Sequence, residues 1–272
     1  MEYSKLCKVY EELERNPSYL KKIEVLADFL KKLKERDSEI IHLLQGRVYP
    51  SYSNKEFGIS EKLIIKVLSK SSGASSLEII KKWKKLGDLG EVSEEIMKKK
   101  EQGTLFSSSI NTEKVLRNLK RLPELEGKGT IEKKLALISE LLTSAKGKEA
   151  KYIVRTLLGD LRIGVGDGTM REAIVKACFE NSNKEIKELV QSSYDKTADF
   201  SEVFERAKKG IEELKATKFE PGKPVKVMLF QKEDSLEKGF CRVGKPALID
   251  FKYDGFRIMT VSYTHLRAHE TV

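Results

Sequence analysis

The sequence predicts a mainly α fold. An all-helical domain with a pseudo-two-fold repeat is expected over residues 1–215. The first strands of an incomplete α+β domain are expected over 216–260. Three observations point there. Apolar residues recur at helical spacing through the first two-thirds of the chain. Two similar D-x-x-E segments each open a basic helix. A turn-rich linker, Thr217-Lys218-Phe219-Glu220-Pro221-Gly222, separates this region from the C-terminal part of the chain.

At 272 residues the chain is long enough for two domains. Charged residues make up 35% and apolar residues 39%, with no stretch long enough to span a membrane. Met1-Glu2-Tyr3-Ser4-Lys5 carries no signal-peptide core. Cys7, Cys178 and Cys241 are scattered without metal-ligand spacing, which fits reduced packing residues of a cytoplasmic protein, and a monomer is expected. The formal net charge of +10 favours a polyanionic partner over a membrane. A lysine-rich solvated surface would give the same balance.

Leu20, Ile23, Leu26, Leu30 and Leu33 form the first apolar stripe. Leu63, Ile64, Val67 and Leu68 form a second, and Leu77, Ile80 and Trp83 a third. Ile131, Leu135, Ile138 and Leu142 form a fourth. These residues are expected in the core. Clusters such as Ser71-Ser72-Gly73-Ala74-Ser75-Ser76 separate the helices.

The repeat is short. Asp88-Leu89-Gly90-Glu91-Val92 answers Asp199-Phe200-Ser201-Glu202-Val203, each a capping box before a basic helix. Upstream, Leu43-Leu44-Gln45-Gly46-Arg47-Val48 answers Leu157-Leu158-Gly159-Asp160-Leu161-Arg162. Two helical copies would present two similar loops to the two strands of a duplex.

Two loops have the chemistry of anion sites. Gly127-Lys128-Gly129-Thr130 precedes a helix with Lys133 in its first turn, where free amides and the helix dipole favour negative charge. Leu161-Arg162-Ile163-Gly164-Val165-Gly166-Asp167-Gly168-Thr169 leads into a helix through the capping box Thr169-x-x-Glu172. It imitates a dinucleotide fingerprint, but no strand precedes it, which excludes NAD binding. A plain helix–helix turn explains either loop equally well on local signals.

Near the end stands Asp250-Phe251-Lys252-Tyr253-Asp254-Gly255-Phe256-Arg257, a K-x-D-G-x-R pattern after Ala247-Leu248-Ile249. A lysine amine attacks phosphorus only when deprotonated, and its reference pKa is about 10.4. On a plain strand Asp250 and Asp254 would flank Lys252 on one face and hold its proton on. Either Gly255 ends the strand and turns Asp254 away, or bound Mg²⁺ neutralises the acids.

This stretch resembles the nucleophile motif of ATP-dependent DNA ligases. The resemblance implies Lys252 as the nucleophile that takes AMP from ATP, with Mg²⁺, and Asp250, Asp254 and Arg257 as nucleotide contacts. The family usually has Glu where Asp250 stands. Four more segments resemble the DNA-binding domain of archaeal and eukaryotic replicative ligases. They are Lys151-Tyr152-Ile153-Val154-Arg155-Thr156-Leu157-Leu158-Gly159, Leu161-Arg162-Ile163-Gly164, Gly87-Asp88-Leu89-Gly90-Glu91-Val92 and Gly46-Arg47-Val48-Tyr49-Pro50. Pro224-Val225-Lys226-Val227-Met228-Leu229 resembles the start of the nucleotidyltransferase domain. The resemblance covers residues 1–260 and implies nicked double-stranded DNA as partner. Lys128, Lys133, Arg155 and Arg162 are expected on phosphates, with the amides of Gly127, Gly129, Thr130, Gly164, Gly166 and Thr169. An RNA ligase or capping enzyme shares K-x-D-G but places it near the N-terminus. A non-enzymatic helical DNA-binding module is the other alternative.

Gln102-Gly103-Thr104-Leu105-Phe106 resembles the short sliding-clamp-binding motif of archaeal ligases, with Gln102, Leu105 and Phe106 as the contacts. A buried Leu105–Phe106 pair is the competing reading. Residues 261–272 resemble a translated sequencing adapter and are expected to be non-native. His265 and His269 within them have metal-ligand spacing but are excluded with that tail, and no metal ligands are assigned.

Overall fold

The computed structural model describes residues 1–99, 110–224, 232–251 and 255. Contacts divide the chain into two compact units, Met1–Val227 and Met228–Val272. The first unit extends beyond residue 215, because Thr217 is buried with its hydroxyl 3.0 Å from that of Ser193, and Lys223 pairs with Glu202.

The first unit is helical. In order come α1 (Tyr3–Arg15), α2 (Tyr19–Lys32), a 3-10 turn (Glu35–Asp37), α3 (Ile40–Leu44), α4 (Glu61–Ser72), α5 (Ser76–Leu86) and α6 (Leu89–Lys98). The second half holds α7 (Thr112–Arg121), α8 (Thr130–Ser144), α9 (Gly147–Leu157), α10 (Asp167–Cys178), α11 (Lys184–Thr197), α12 (Phe200–Lys209) and α13 (Ile211–Lys215). Local chemistry starts and stops them. Ser18, Ser75, Asn111 and Asn183 each accept a backbone N–H in the first turn of their helix. Gly73 and Gly87 close α4 and α5 in the left-handed conformation.

The repeat covers whole halves. Helix α1 packs on α2 as α7 does on α8. Likewise α4 packs on α5 as α10 does on α11, and α5 on α6 as α11 on α12. The halves also interlock: α4 packs on α8 as α10 does on α2, and α6 on α9 as α12 on α3. At the join, Glu2 and Asn111 form an antiparallel bridge immediately before α1 and α7. The Tyr3 amide donates to the Ile110 carbonyl at 3.0 Å, and the Thr112 amide to the Met1 carbonyl at 2.9 Å. These two bonds are mates of one another, as a pseudo-two-fold axis requires.

The core lies along this join. Tyr3, Tyr10 and Tyr152 are fully buried, and the Tyr10 and Tyr152 rings stand 4.8 Å apart. The Tyr10 hydroxyl donates to the Leu43 carbonyl at 2.9 Å, tying α1 to α3. Three members of the expected stripes are exposed. Leu20, Leu77 and Ile131 are 71%, 80% and 57% exposed. Each stands in the first turn of its helix, where the periodicity continues but no neighbouring helix covers it.

In the second unit the described residues hold one helix, α14 (Leu236–Val243), capped by Ser235. The expected strands are not found among its described residues. Leu248, Ile249 and Phe251 lie exposed outside any regular element.

Candidate nucleic-acid interface

The turns that come after α3 and α9 are two copies of one device. The Gly46 amide donates to Leu43 and the Arg47 amide to His42. In the other half, the Gly159 amide donates to Thr156 and the Asp160 amide to Arg155. Gly46 and Gly159 both sit at φ +72°, the left-handed position such a helix end needs. This sets Gly46 against Gly159, one residue away from the register that the paired leucines suggest. The two turns meet. A Cβ placed on Gly46 would lie 3.3 Å from Leu161 Cβ.

Each turn is locked to a helix N-terminus. Asp88 caps α6 with φ −139° and ψ 112°, and Asp199 caps α12 with φ −138° and ψ 108°. Asp88 Oδ1 accepts the Gly90 amide at 2.7 Å, and Asp199 Oδ1 accepts the Ser201 amide at 2.9 Å. Only the aspartate half of each expected capping box forms, since Glu202 turns to Arg206 and Lys223. Each carboxylate also takes a cation-capable group from the matching helix. Arg155 Nη2 donates to Asp88 Oδ2 at 2.6 Å, and His42 Nε2 lies 2.8 Å from Asp199 Oδ1.

Arg155 therefore does not reach a phosphate directly. It is 3% exposed, and Glu14 takes a further bond from Nη2 at 3.1 Å. Burial opposes its charge, but hydrogen bonds and Coulombic attraction from Asp88 and Glu14 prevail and hold its pKa above the ordinary value. Asp88 shows the converse. Burial opposes its charge, yet Arg155, the Gly90 amide and Arg162 keep its carboxyl below the ordinary range. Glu14 also binds Lys151 and the Tyr152 hydroxyl.

The same Asp88 oxygen reaches the surface through Arg162, whose Nη1 lies 3.3 Å away, while Asp160 accepts from its Nε at 2.6 Å. Arg162 is half-exposed and holds φ +58°, a strained position for a non-glycine residue. It lines a cleft of about 360 Å³ with Trp83, Ser60 and Leu158.

Past the turns, the loops that lead into α4 and α10 also match. Lys22 of α2 donates to the Ile163 carbonyl at 2.7 Å, just before Gly164 at φ +64°. Lys134 of α8 donates to the Phe57 carbonyl at 2.8 Å, just before Gly58 at φ +62°. The left-handed φ favours glycine at position 164, and a Cβ there would stand 2.3 Å from Lys22 Nζ, so the lysine end would have to shift. The 57–60 loop was not identified from sequence. Its signal is Phe57-Gly58-Ile59-Ser60 against Ile163-Gly164-Val165-Gly166, a pattern of one shared glycine between apolar residues.

Gly129 is the N-cap of α8 at φ +76°, with no side-chain cap, and the Thr130 hydroxyl donates to the Gly127 carbonyl at 2.5 Å. Lys128 and Lys133 are exposed beside it. Gly166, not Thr169, is the N-cap of α10. Helix α10 starts earlier than the capping-box reading, and Thr169 is buried in its first turn. Asp250 is exposed and its carboxylate accepts the Phe251 amide at 2.8 Å. Lys252, Asp254, Arg257, Gln102, Leu105 and Phe106 lie outside the described residues. Among the described residues no cluster of His, Cys, Asp and Glu is arranged to hold a metal, and no helix is long and apolar enough to cross a membrane.

Comparison with known proteins adds the family. A family model described as DNA ligase N terminus matches residues 2–175. A DNA ligase of Methanosphaera stadtmanae is 41% identical over 267 residues, covering 97% of this chain and 47% of that protein. A DNA ligase of Nanoarchaeum equitans is 37% identical over 259 residues, covering 95% and 45%. One from Thermococcus fumicolans is 36% identical over 260 residues, covering 95% and 46%. The chain thus spans about half the length of the curated relatives it matches.

Proposed function

Because the chain belongs to the DNA ligase family, we propose that its helical unit binds nicked duplex DNA for a parent protein that seals the nick. The observation that carries this reading is the duplicated surface. Two matching turns and two matching glycine loops, tied to one another across a pseudo-two-fold, fit the approximate two-fold symmetry of a duplex backbone. The contacting groups are Arg162, Lys128 and Lys133, with amides of Gly127, Gly129, Thr130, Gly164 and Gly166. Arg155 acts from beneath, through Asp88 and the Leu161 carbonyl, and Thr169 is buried in the first turn of α10. Such contacts fix register on the phosphates and carry little base information.

For the parent protein, the finer proposal is an ATP- and Mg²⁺-dependent reaction in which Lys252 accepts the nucleotidyl group. The described residues near it do not form a nucleotide cradle, since Asp250 and Phe251 are both exposed. DNA binding is therefore proposed for the helical unit alone. Gln102, Leu105 and Phe106 are proposed as a sliding-clamp contact, and the protein as a cytoplasmic monomer.

Equilibrium binding to two nicked duplexes of unrelated sequence tests the DNA reading. Equal affinities for both are expected, with Arg162→Gln weakening both alike. Binding that depends strongly on sequence would overturn it.

A further inference from the structure

We propose that the exposed lysine rows of α4 and α5 form a second track for the phosphate backbone of duplex DNA, outside the turns and loops described above. This rests on the DNA-binding reading and extends it to a surface that reading does not include.

The rows are Lys62, Lys66 and Lys70 on α4, and Lys81, Lys84 and Lys85 on α5. All six side chains are exposed. A seventh lysine, Lys82, pairs with Glu95 at 2.9 Å, while these six make no ion pair among the described residues. Some surface lysines elsewhere are matched with acids, as in Lys98 with Glu94, Lys120 with Glu39 and Lys148 with Glu11, whereas Lys128 and Lys133 of the proposed interface, like these six, make no ion pair among the described residues.

The pseudo-two-fold supplies an internal control. Helices α10 and α11 are the structural mates of α4 and α5. Residues 61–86 hold seven lysines against two glutamates, a formal +5. Residues 167–197 hold five basic and six acidic side chains, a formal −1. There Lys187 pairs with Glu172 and Lys184 with Glu188. The same scaffold therefore carries half of the chain's net charge of +10 in one copy and none in the other. Folding does not call for that difference, because the α10–α11 copy folds without it.

The rows also set like charges beside one another, while Lys70, Lys84 and Lys85 stand in the last turn of their helices, where the helix dipole favours cations. Lys62 and Lys66, Lys66 and Lys70, and Lys81 and Lys85 stand four apart, a spacing at which like charges repel. A polyanion relieves that repulsion. From Lys62 to Lys70 the row runs about 12 Å along the helix axis. With phosphates at roughly 3.4 Å of axial rise on one strand, this spans about three phosphates. The row begins beside the proposed interface, since α4 starts at Glu61, immediately after the Phe57-Gly58-Ile59-Ser60 loop.

The test uses the 272-residue chain and a nicked duplex of roughly 40 base pairs, with affinity measured from low to moderate salt. Two variants change the rows, Lys62→Gln/Lys66→Gln/Lys70→Gln and Lys81→Gln/Lys84→Gln/Lys85→Gln. A control, Lys176→Gln/Lys184→Gln/Lys187→Gln, removes three charges from the mate. Each row variant is expected to flatten the log–log salt slope by roughly 2–3, at ~0.9 per lost phosphate contact. The control should keep the wild-type slope, and Lys→Arg versions of the rows should keep it too. Thermal melts check that each variant is folded. Row variants with the wild-type slope, or a control that flattens it equally, would overturn the proposal while DNA binding by the chain stands. Loss of binding to poly-glutamate with the DNA slope intact would overturn it in favour of an acidic protein partner. Absence of DNA binding by the unmodified chain would instead overturn the functional reading itself.

Discussion

Arg155 and Asp88 meet at 2.6 Å with both side chains almost wholly removed from solvent. Asp88 also caps α6 and faces Arg162 at the surface. One carboxylate thus joins a helix start, a buried cation and an exposed one. A buried pair of this kind need not exceed a well-packed apolar pair in stability, but removing one partner strands the other.

Arg155→Ala is therefore expected to destabilise the folded chain by about 3–5 kcal/mol, because Asp88 and Glu14 lose their main cation. Urea denaturation measures this. The sign of its pH dependence comes from the carboxyls. Those of Asp88 and Glu14 are held below their ordinary pKa in the folded state. Their contribution is complete above the ordinary carboxyl range, about pH 4, and is lost as pH falls through the lowered folded values. The difference between wild type and Arg155→Ala should narrow below about pH 4. A difference that stays constant down to about pH 2 would contradict the assignment.

The two capping junctions differ at one informative position. Gly90 of α6 stands where Ser201 stands in α12. A Cβ at Gly90 would meet Arg155 Cγ at 2.6 Å. Gly90→Ser should destabilise by about 1–3 kcal/mol through overpacking. Ser201→Gly should cost no more than about 1 kcal/mol, the usual penalty of a helical glycine. Equal effects in denaturant melts would show that the junctions do not differ in this way.

How far the sequence exposes this fold depends on the kind of signal. The helical stripes and the Asp88 and Asp199 caps are local and readable, and they lead to the repeat. Burial of a charge is not local. Arg155 reads as a phosphate ligand beside Arg162, because nothing nearby in sequence announces that Glu14 and Asp88 will enclose it. The register of the upstream repeat fails for a related reason. Paired leucines suggest one alignment, while the left-handed glycines Gly46 and Gly159 require another. The Gly58 loop escapes notice because its single glycine lacks the richness of the 161–169 loop, and its partner Lys134 lies far along the chain.

In the proposed ligase, Lys252→Ala is expected to abolish covalent labelling by ATP carrying label in its α-phosphate. Denaturing gel autoradiography reads this directly. Labelling of the variant at wild-type level would remove Lys252 from its assigned role.

Phe106→Ala is expected to weaken binding to a sliding clamp and to leave the melting temperature unchanged. If Phe106 is instead a core residue, the substitution should cost ~3–5 kcal/mol of stability. Surface plasmon resonance paired with a thermal melt separates the two.

The central claim is that the helical unit holds duplex DNA through its phosphates, and the salt dependence of binding tests it most directly. Roughly four to eight phosphate contacts predict that log affinity of the chain for a nicked duplex falls with log salt at a slope of roughly −4 to −7. A flat salt response, or no binding at low salt, would contradict that claim.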